Sequence, residues 1–262
     1  MSTTARHAPT APPMDRDRKT ALVAGVLYLV TFVGSIPALA LYHDILRDPR
    51  YVLGKASDTG VRLSALLELS CAMAGIGTAV VLYRVVKRYS QTRALGFIAA
   101  RVFEAAMISV GVLTVLSIVK LHQGAARASG AEATSLVTTG RSLVAIHDWT
   151  FLLGPGFMPA LNALCLATVL YRSRLVPRVI PMLGLIGAPL LVASGISTLF
   201  GGVDQVSATA AVAALPIAAW EFSLGVWLVV KGFRPSPTTP TTSESVPAAA
   251  GDRDAGLVTV GG

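Results

Sequence analysis

The chain contains six long apolar stretches separated by short polar segments. A helix rises about 1.5 Å per residue, so about 20 apolar residues cross the ~30 Å hydrocarbon layer of a bilayer. None of the stretches alternates strictly between apolar and polar residues, as a strand of a membrane barrel would. The pattern predicts an all-α fold, a polytopic six-helix transmembrane bundle, with spans at residues 20–42, 61–83, 94–119, 149–171, 179–200 and 209–230.

The segments outside these spans have a different composition. Residues 1–19 and 234–262 are rich in Thr, Ala, Pro, Ser and charge and show no hydrophobic periodicity. Such segments lack the apolar residues that a packed core requires. We therefore predict two disordered cytoplasmic tails around a transmembrane domain that covers residues 20–233.

Basic residues predict the orientation of the spans. Fourteen of the 22 Lys and Arg residues lie on the side of the two tails, and seven lie on the other side. Short cytoplasmic loops carry an excess of Lys and Arg. Both termini are therefore expected in the cytoplasm.

The longest connection, residues 120–148, lies between the third and fourth spans. Leu136, Leu143, Val144 and His147 fall near one face of a helix drawn through it. This spacing predicts a helix, which is either a short extracytoplasmic interfacial helix or an outward extension of the fourth span.

Composition narrows the class of partner. The chain is 53% hydrophobic and 14% charged, against about 25% charged residues in a usual soluble domain. Its net charge of +8 comes from basic residues at the ends of the apolar runs. We therefore expect the lipid bilayer as partner and no nucleic acid.

Ionisable residues inside spans are costly and mark candidate sites. Arg101 and Glu104 lie three residues apart, on one helical face of the third span. Glu104, Asn162 and Glu221 each lie about ten residues, or ~15 Å, from the cytoplasmic end of their span. We predict a polar cluster of these four residues, which either binds a ligand or fixes helix packing as an interhelical ion pair.

A second group of candidates lies toward the outer side: His147, Asp148, Glu68 and His43. His147 and Asp148 form either an outward-facing site or a helix start, in which Asp148 caps the helix and Trp149 anchors it at the interface. One His and one Asp are an incomplete metal site. No metal and no cofactor are expected.

Common motifs of catalytic and nucleotide-binding sites are missing from the sequence. It has no GxSxG elbow, HExxH, P-loop or GxGxxG, and no residue is assigned a catalytic role. The leading hypothesis is a protein that binds or moves a small molecule, lipid or proton through the polar cluster. The alternative is a non-catalytic scaffold or regulatory subunit that docks a partner, and an enzyme is the least favoured class. The ligand, protein partner and oligomeric state stay open.

Several short motifs, in order, resemble a known family. They are Gly25-Val26-Leu27-Tyr28-Leu29, Arg101-Val102-Phe103-Glu104-Ala105, His147-Asp148 leading into Leu152-Leu153-Gly154, Leu170-Tyr171-Arg172-Ser173, and Glu221-Phe222-Ser223-Leu224-Gly225. Over residues 18–233 the chain is similar to the bacterial membrane proteins grouped as domain of unknown function 4386. The resemblance implies a multi-span protein of the bacterial inner membrane and assigns no catalytic residue.

Overall fold

Helices account for the regular secondary structure of the described part of the chain. The computed structural model describes residues 15–48, 50–54, 57–125 and 128–234, and no strand occurs among them. Six helical segments are long and apolar enough to cross a membrane, as the hydrophobic pattern predicts. The helices are α1 (Arg16–Leu41), α2 (His43–Arg47), α3 (Thr59–Val86), α4 (Gln91–Gly124), α5 (Gly130–Phe151), α6 (Met158–Ser173), α7 (Val179–Leu199) and α8 (Ala208–Val230), with a 3-10 turn at Tyr51–Leu53 and a π turn at Leu152–Gly156.

Outside the fourth span, the helix ends lie within about five residues of the predicted limits. Helix α1 begins at Arg16, so residues 16–19, which the sequence placed in the N-terminal tail, form its first turn. Residues 1–14 and 235–262, the rest of the predicted tails, lie outside the described residues. The Ser90 Oγ accepts a hydrogen bond from the backbone N–H of Arg93, and Ser207 does the same for Ala210. These N-caps satisfy free N–H groups and determine where α4 and α8 begin.

Residues 130–173 form one nearly continuous helical segment of 44 residues. At about 1.5 Å per residue it is ~66 Å long, about twice the hydrocarbon thickness. The π turn interrupts it at Pro155, which has no backbone N–H to donate. The helix predicted in the long connection is therefore α5. It continues into the fourth span, as the outward-extension alternative predicts, and is not a separate short helix.

An apolar cluster, which we call the distal cap, lies at the end of the bundle opposite α1's first turn. It is built from α2, the 3-10 turn, the last turns of α4 and the first part of α5. Its buried core includes Tyr42, Ile45, Tyr51, Val52, Val115, Ile118 and Val119, and Leu136, Leu143 and Val144 of α5 pack against it. The face of α5 predicted from its periodicity is thus the face that packs.

Glycines allow close approach between α1, α7 and α8. A Cβ placed on Gly25 of α1 would lie 2.7 Å from the carbonyl oxygen of Gly225 in α8. A Cβ on Gly187 of α7 would lie 2.7 Å from the backbone nitrogen of Ile217 in α8. Small residues of this kind bring helix backbones together in membranes, where apolar side chains gain little from leaving lipid.

Arg18 fastens the first turn of α1 to the last turn of α8. Its Nη1 donates to the carbonyl oxygen of Leu228 at 2.8 Å, and its Nη2 donates to that of Val229 at 2.6 Å. These carbonyls have no partner within their own helix, and a cation at a helix C-terminus also offsets the helix dipole. The two ends of the bundle domain are therefore joined at one point.

Large apolar side chains point outward around the bundle. Val33, Met73 and Val212 are 73%, 66% and 64% exposed. An apolar perimeter of this extent would be unfavourable in water and matches a surface that faces lipid chains. Composition, helix length and surface thus agree on a multi-pass membrane protein.

Candidate functional site

Arg101 of α4 lies at the centre of a buried polar cluster and is only 4% exposed. Its Nη1 donates to Oε2 of Glu104 at 3.0 Å, and its Nη2 donates to Oε1 of Glu221 at 2.6 Å. Nδ2 of Asn162 in α6 donates to the same Glu104 oxygen at 2.8 Å. The structure thus brings together all four residues that the sequence placed near one depth.

Two aromatic rings and a glycine pack around the Arg101 side chain. It lies over the rings of Tyr28 and Phe97, 5.4 Å and 5.7 Å from their centroids. Cations are stabilised over aromatic faces, and more strongly away from water. On α3, a Cβ at Gly75 would lie 3.8 Å from the Arg101 Cδ, an ordinary van der Waals distance, so Gly75 packs directly beside this side chain.

The cluster is neither neutral nor fully hydrogen-bonded. One guanidinium faces two carboxylates, which leaves one formal negative charge. Within the described residues, the buried Nε of Arg101 and the buried Oδ1 of Asn162 have no hydrogen-bond partner. An ion pair that served packing alone would be expected to satisfy its buried groups.

A cavity of about 420 Å³ adjoins the cluster. This volume lies within the ~300–1,000 Å³ range of small-molecule sites. Arg101, Glu104 and Glu221 form part of its wall, and most of the remaining wall is apolar. Apolar walls with a few converging polar groups are typical of a ligand site.

One face of α1 forms the open side of this cavity. Ser35, Ile36 and Leu39 line it and are also exposed at the surface of the bundle. Helix α8 contributes Ala214 and Ala218 to the cavity wall, and both side chains are partly exposed. Because this perimeter is apolar, the opening faces the region that lipid chains would occupy.

The π turn and Pro159 supply another part of the wall. Phe151 and Pro155 line the cavity with Pro159, which sits in the first turn of α6. A Cβ placed on Gly154 would lie 2.6 Å from Cβ of Met107, so the turn packs directly on α4. π turns occur frequently at functional sites. Here the turn lies beside the charged cluster.

The match to a family covers this whole site. Residues 23–232 match the family described as a domain of unknown function, DUF4386. The chain belongs to the DUF4386 family. The resemblance found in the sequence motifs is thereby confirmed. No curated protein and no solved structure matches the chain at a significant level. The DUF4386 description names no activity, so function has to be argued from the cluster and the cavity.

Glu68 provides a third carboxylate in the DUF4386 cavity. It lies seven residues before Gly75 on α3, and therefore about 10 Å nearer the distal cap than the cluster. Among the described residues, no Lys or Arg lies within ion-pair distance of it, and its polar neighbours are Tyr42 and His147. The structure thus separates Glu68 from the cluster but keeps it in the same cavity.

The other predicted outer-side residues occupy different environments. His147 is only 5% exposed and packs edge-on against the Tyr42 ring, so its side chain lies inside the bundle. Asp148 is exposed but lies inside α5, and it is not a helix cap. His43 is exposed and pairs with the adjacent Asp44 at 3.2 Å. In the described part of the chain no group of three or more His, Cys, Asp or Glu is placed to hold a metal ion.

A second polar network, at the distal cap, did not emerge from the sequence. His122 at the end of α4 bonds Oδ1 of Asp58 through Nδ1 at 2.8 Å and the Gly54 carbonyl oxygen through Nε2 at 3.0 Å. Both ring nitrogens are thus engaged, which holds the ring between the Gly54 loop and Asp58. Gln123 and Tyr51 also donate to Asp58. Asp58 and His122 are 64 positions apart, and no local motif signals their contact.

This network changes the acidity of Asp58, which precedes α3. Burial acts to raise the pKa of Asp58, but the hydrogen bonds from His122, Gln123 and Tyr51 outweigh it and hold the pKa below its usual value. The ionised carboxylate therefore ties the loop before α3 to the end of α4.

Proposed function

We propose that this protein is a multi-pass protein of the bacterial inner membrane that binds or moves a small molecule, lipid or proton at the Arg101 cluster. Both termini would lie in the cytoplasm, which the excess of Lys and Arg at that end of the bundle supports. The observation that carries the proposal is the cavity of about 420 Å³ that leads to this buried, charged cluster.

The cavity also favours this function over a docking scaffold. A scaffold needs a surface for its partner and no internal space. Here Glu221 lines a cavity, and its carboxylate uses only one oxygen to bond Arg101. The cluster's surplus negative charge can be neutralised by a proton or by a ligand's cationic group. Intramembrane ionisable residues of this kind mark ligand or proton pathways.

Filling the opening tests the proposal. Ser35→Trp would place an indole at the mouth of the cavity, and Ser70→Trp is a matched control on the outer face of α3, away from the cavity. Thermal unfolding of the full chain in lipid nanodiscs would be measured with a panel of single-chain amphipathic compounds. Compounds that stabilise the wild type and the Ser70→Trp variant, but not Ser35→Trp, would support a ligand site. If equal stabilisation of all three proteins were observed, or none of any, the proposal would be refuted.

A further inference from the structure

We propose that the ligand of this cavity is a single-chain amphipath with a positively charged polar end, which enters sideways from the bilayer between α1 and α8. This proposal rests on the proposed function and adds the chemical class and the route of entry. It depends on the charge of the cavity wall, on the position of the opening and on the incomplete bonding of the cluster.

Charge selects a cationic group. Four charged side chains line the cavity, namely Glu68, Arg101, Glu104 and Glu221. Three carboxylates against one guanidinium give a formal charge of −2. Both Nη atoms of Arg101 are already bonded to carboxylates, so little of its charge is left for an anion. In a site largely removed from water, a ligand cation would be attracted and a ligand carboxylate repelled.

The deeper end of the cavity has the features of a head-group site. Glu221 bonds Arg101 through Oε1, and no hydrogen bond is made by its Oε2 within the described residues. In the described part of the chain, the Nε of Arg101, on a side chain 4% exposed, has no hydrogen-bond acceptor. A cationic nitrogen next to Glu221, with a neighbouring oxygen that accepts from Nε, would complete both groups.

The opening has the features of a passage for the hydrocarbon chain of the ligand. Phe32, Ser35, Ile36 and Leu39 follow the i, i+3, i+4, i+7 spacing of one helical face, and this face of α1 lines the cavity. Ile36 is 66% exposed. A hydrocarbon chain lying along this face would pass from the cavity directly into the surrounding lipid without crossing water.

Nearer the chain termini the same two helices close against each other. Gly25 and Gly225 are in contact, and the rings of Phe32 and Phe222 lie 5.4 Å apart. Helices α1 and α8 are therefore in contact on the side of the cluster that is nearer the chain termini, and the cavity separates them on the side that is nearer the distal cap. The head group would stop at the level of Glu221, and the chain would extend toward the distal cap.

The experiment compares three probes with the same twelve-carbon chain: dodecylammonium, dodecanol and dodecanoate. Saturable binding to the full chain would be measured at pH 8 in phosphatidylcholine nanodiscs, with empty nanodiscs subtracted. We expect the cation to bind at least about tenfold more tightly than the alcohol, and dodecanoate to bind most weakly. Glu221→Gln should remove most of the cation's advantage, because it keeps the neutral Arg101–Glu104 pair but removes the surplus charge.

Two variants keep the outcome interpretable. Glu132→Gln removes an exposed carboxylate in the first turn of α5 and should leave binding of all three probes unchanged. Glu68→Gln should weaken cation binding less than Glu221→Gln, and it replaces Glu221→Gln as the test if that variant does not fold. Helix content by circular dichroism establishes folding in each case.

The outcomes separate this proposal from the proposed function. Equal binding of the three probes that is lost in Ser35→Trp would overturn the cationic class and leave a ligand site standing. A preference for the cation that persists in both carboxylate variants would overturn the assigned head-group site. Absence of saturable binding, or binding unaffected by Ser35→Trp, would overturn both proposals.

Discussion

Arg101→Met tests whether the cluster depends on its single cation. The substitution keeps an unbranched side chain but leaves Glu104 and Glu221, both charged and largely buried, without the guanidinium that bonds them at 3.0 Å and 2.6 Å. Removing one partner of a buried ion pair costs about 3–5 kcal/mol, because the remaining charge is uncompensated. With two carboxylates left facing each other, we expect a loss at the upper end of this range.

Glu221→Gln should behave differently. The amide oxygen still accepts from Arg101, and the remaining Arg101–Glu104 pair is neutral, so the expected loss is only about 1 kcal/mol. Arg88→Met provides a matched control, because it breaks an exposed ion pair with Asp17 at 3.2 Å. Such surface pairs contribute about 0–1 kcal/mol.

The assay is reversible unfolding in mixed micelles, followed by circular dichroism, with the free energy of unfolding extrapolated to the absence of denaturing detergent. Arg101→Met is expected to rank far below the other two variants. A loss for Arg101→Met no larger than that for Arg88→Met would show that the cluster is hydrated and loosely held. A loss for Glu221→Gln equal to that for Arg101→Met would refute the charge imbalance itself.

Other contacts give equally direct expectations. Gly25→Val should lower the free energy of unfolding by at least ~3 kcal/mol, because the new Cβ meets a backbone oxygen of α8. The control Gly124→Ala places a Cβ that meets nothing within 4 Å, so the melting temperature should be unchanged or higher. Arg18→Met should lower the free energy of unfolding by about 1–3 kcal/mol, because two hydrogen bonds to α8 carbonyls are lost. Arg16→Met, at an exposed position that makes no such bonds among the described residues, should leave that free energy unchanged. The pKa of Asp58 is lower in the folded chain than in the unfolded one. Ionised Asp58 therefore stabilises the fold at pH values above the ordinary carboxyl pKa, and this stabilisation is lost as the pH falls below that value. The melting temperature should therefore fall less between pH 6 and pH 3 in Asp58→Asn than in the wild type, and an equal fall in both would contradict the network.

The spans and the main cluster could be predicted because each depends on a local or additive property. Apolar run length determines which segments cross a bilayer, and counting residues from the basic end placed Glu104, Asn162 and Glu221 at one depth. Depth alone brings side chains from different helices to the same level. It does not determine which helices are neighbours, so the bonding pattern around Arg101 required the structure.

The features that were missed depend on long-range packing. The helical periodicity placed His147 on the packing face, but its partner, the Tyr42 ring, lies more than 100 positions away, and α5 begins at Gly130, well before the expected start of the fourth span. The Asp58–His122 contact joins a loop to the far end of another helix, and neither position has an unusual local sequence. The cavity also has no signature in the sequence, since its walls come from eight elements: α1, α3, α4, α5, the π turn, α6, α7 and α8.

The close contact of α7 on α8 at Gly187 has a mechanical consequence. Because Gly187 packs against Ile217 and Pro216 with no room for a side chain of its own, we expect α7 and α8 to move together as one rigid unit. Its natural pivot is the contact of Gly25 with Gly225, which lies about 25 Å along α8 from Ala208. A rotation of about 5° around that pivot moves the free edge by ~2 Å. A small change of angle at two glycines would therefore be enough to widen the opening, without unfolding of any helix.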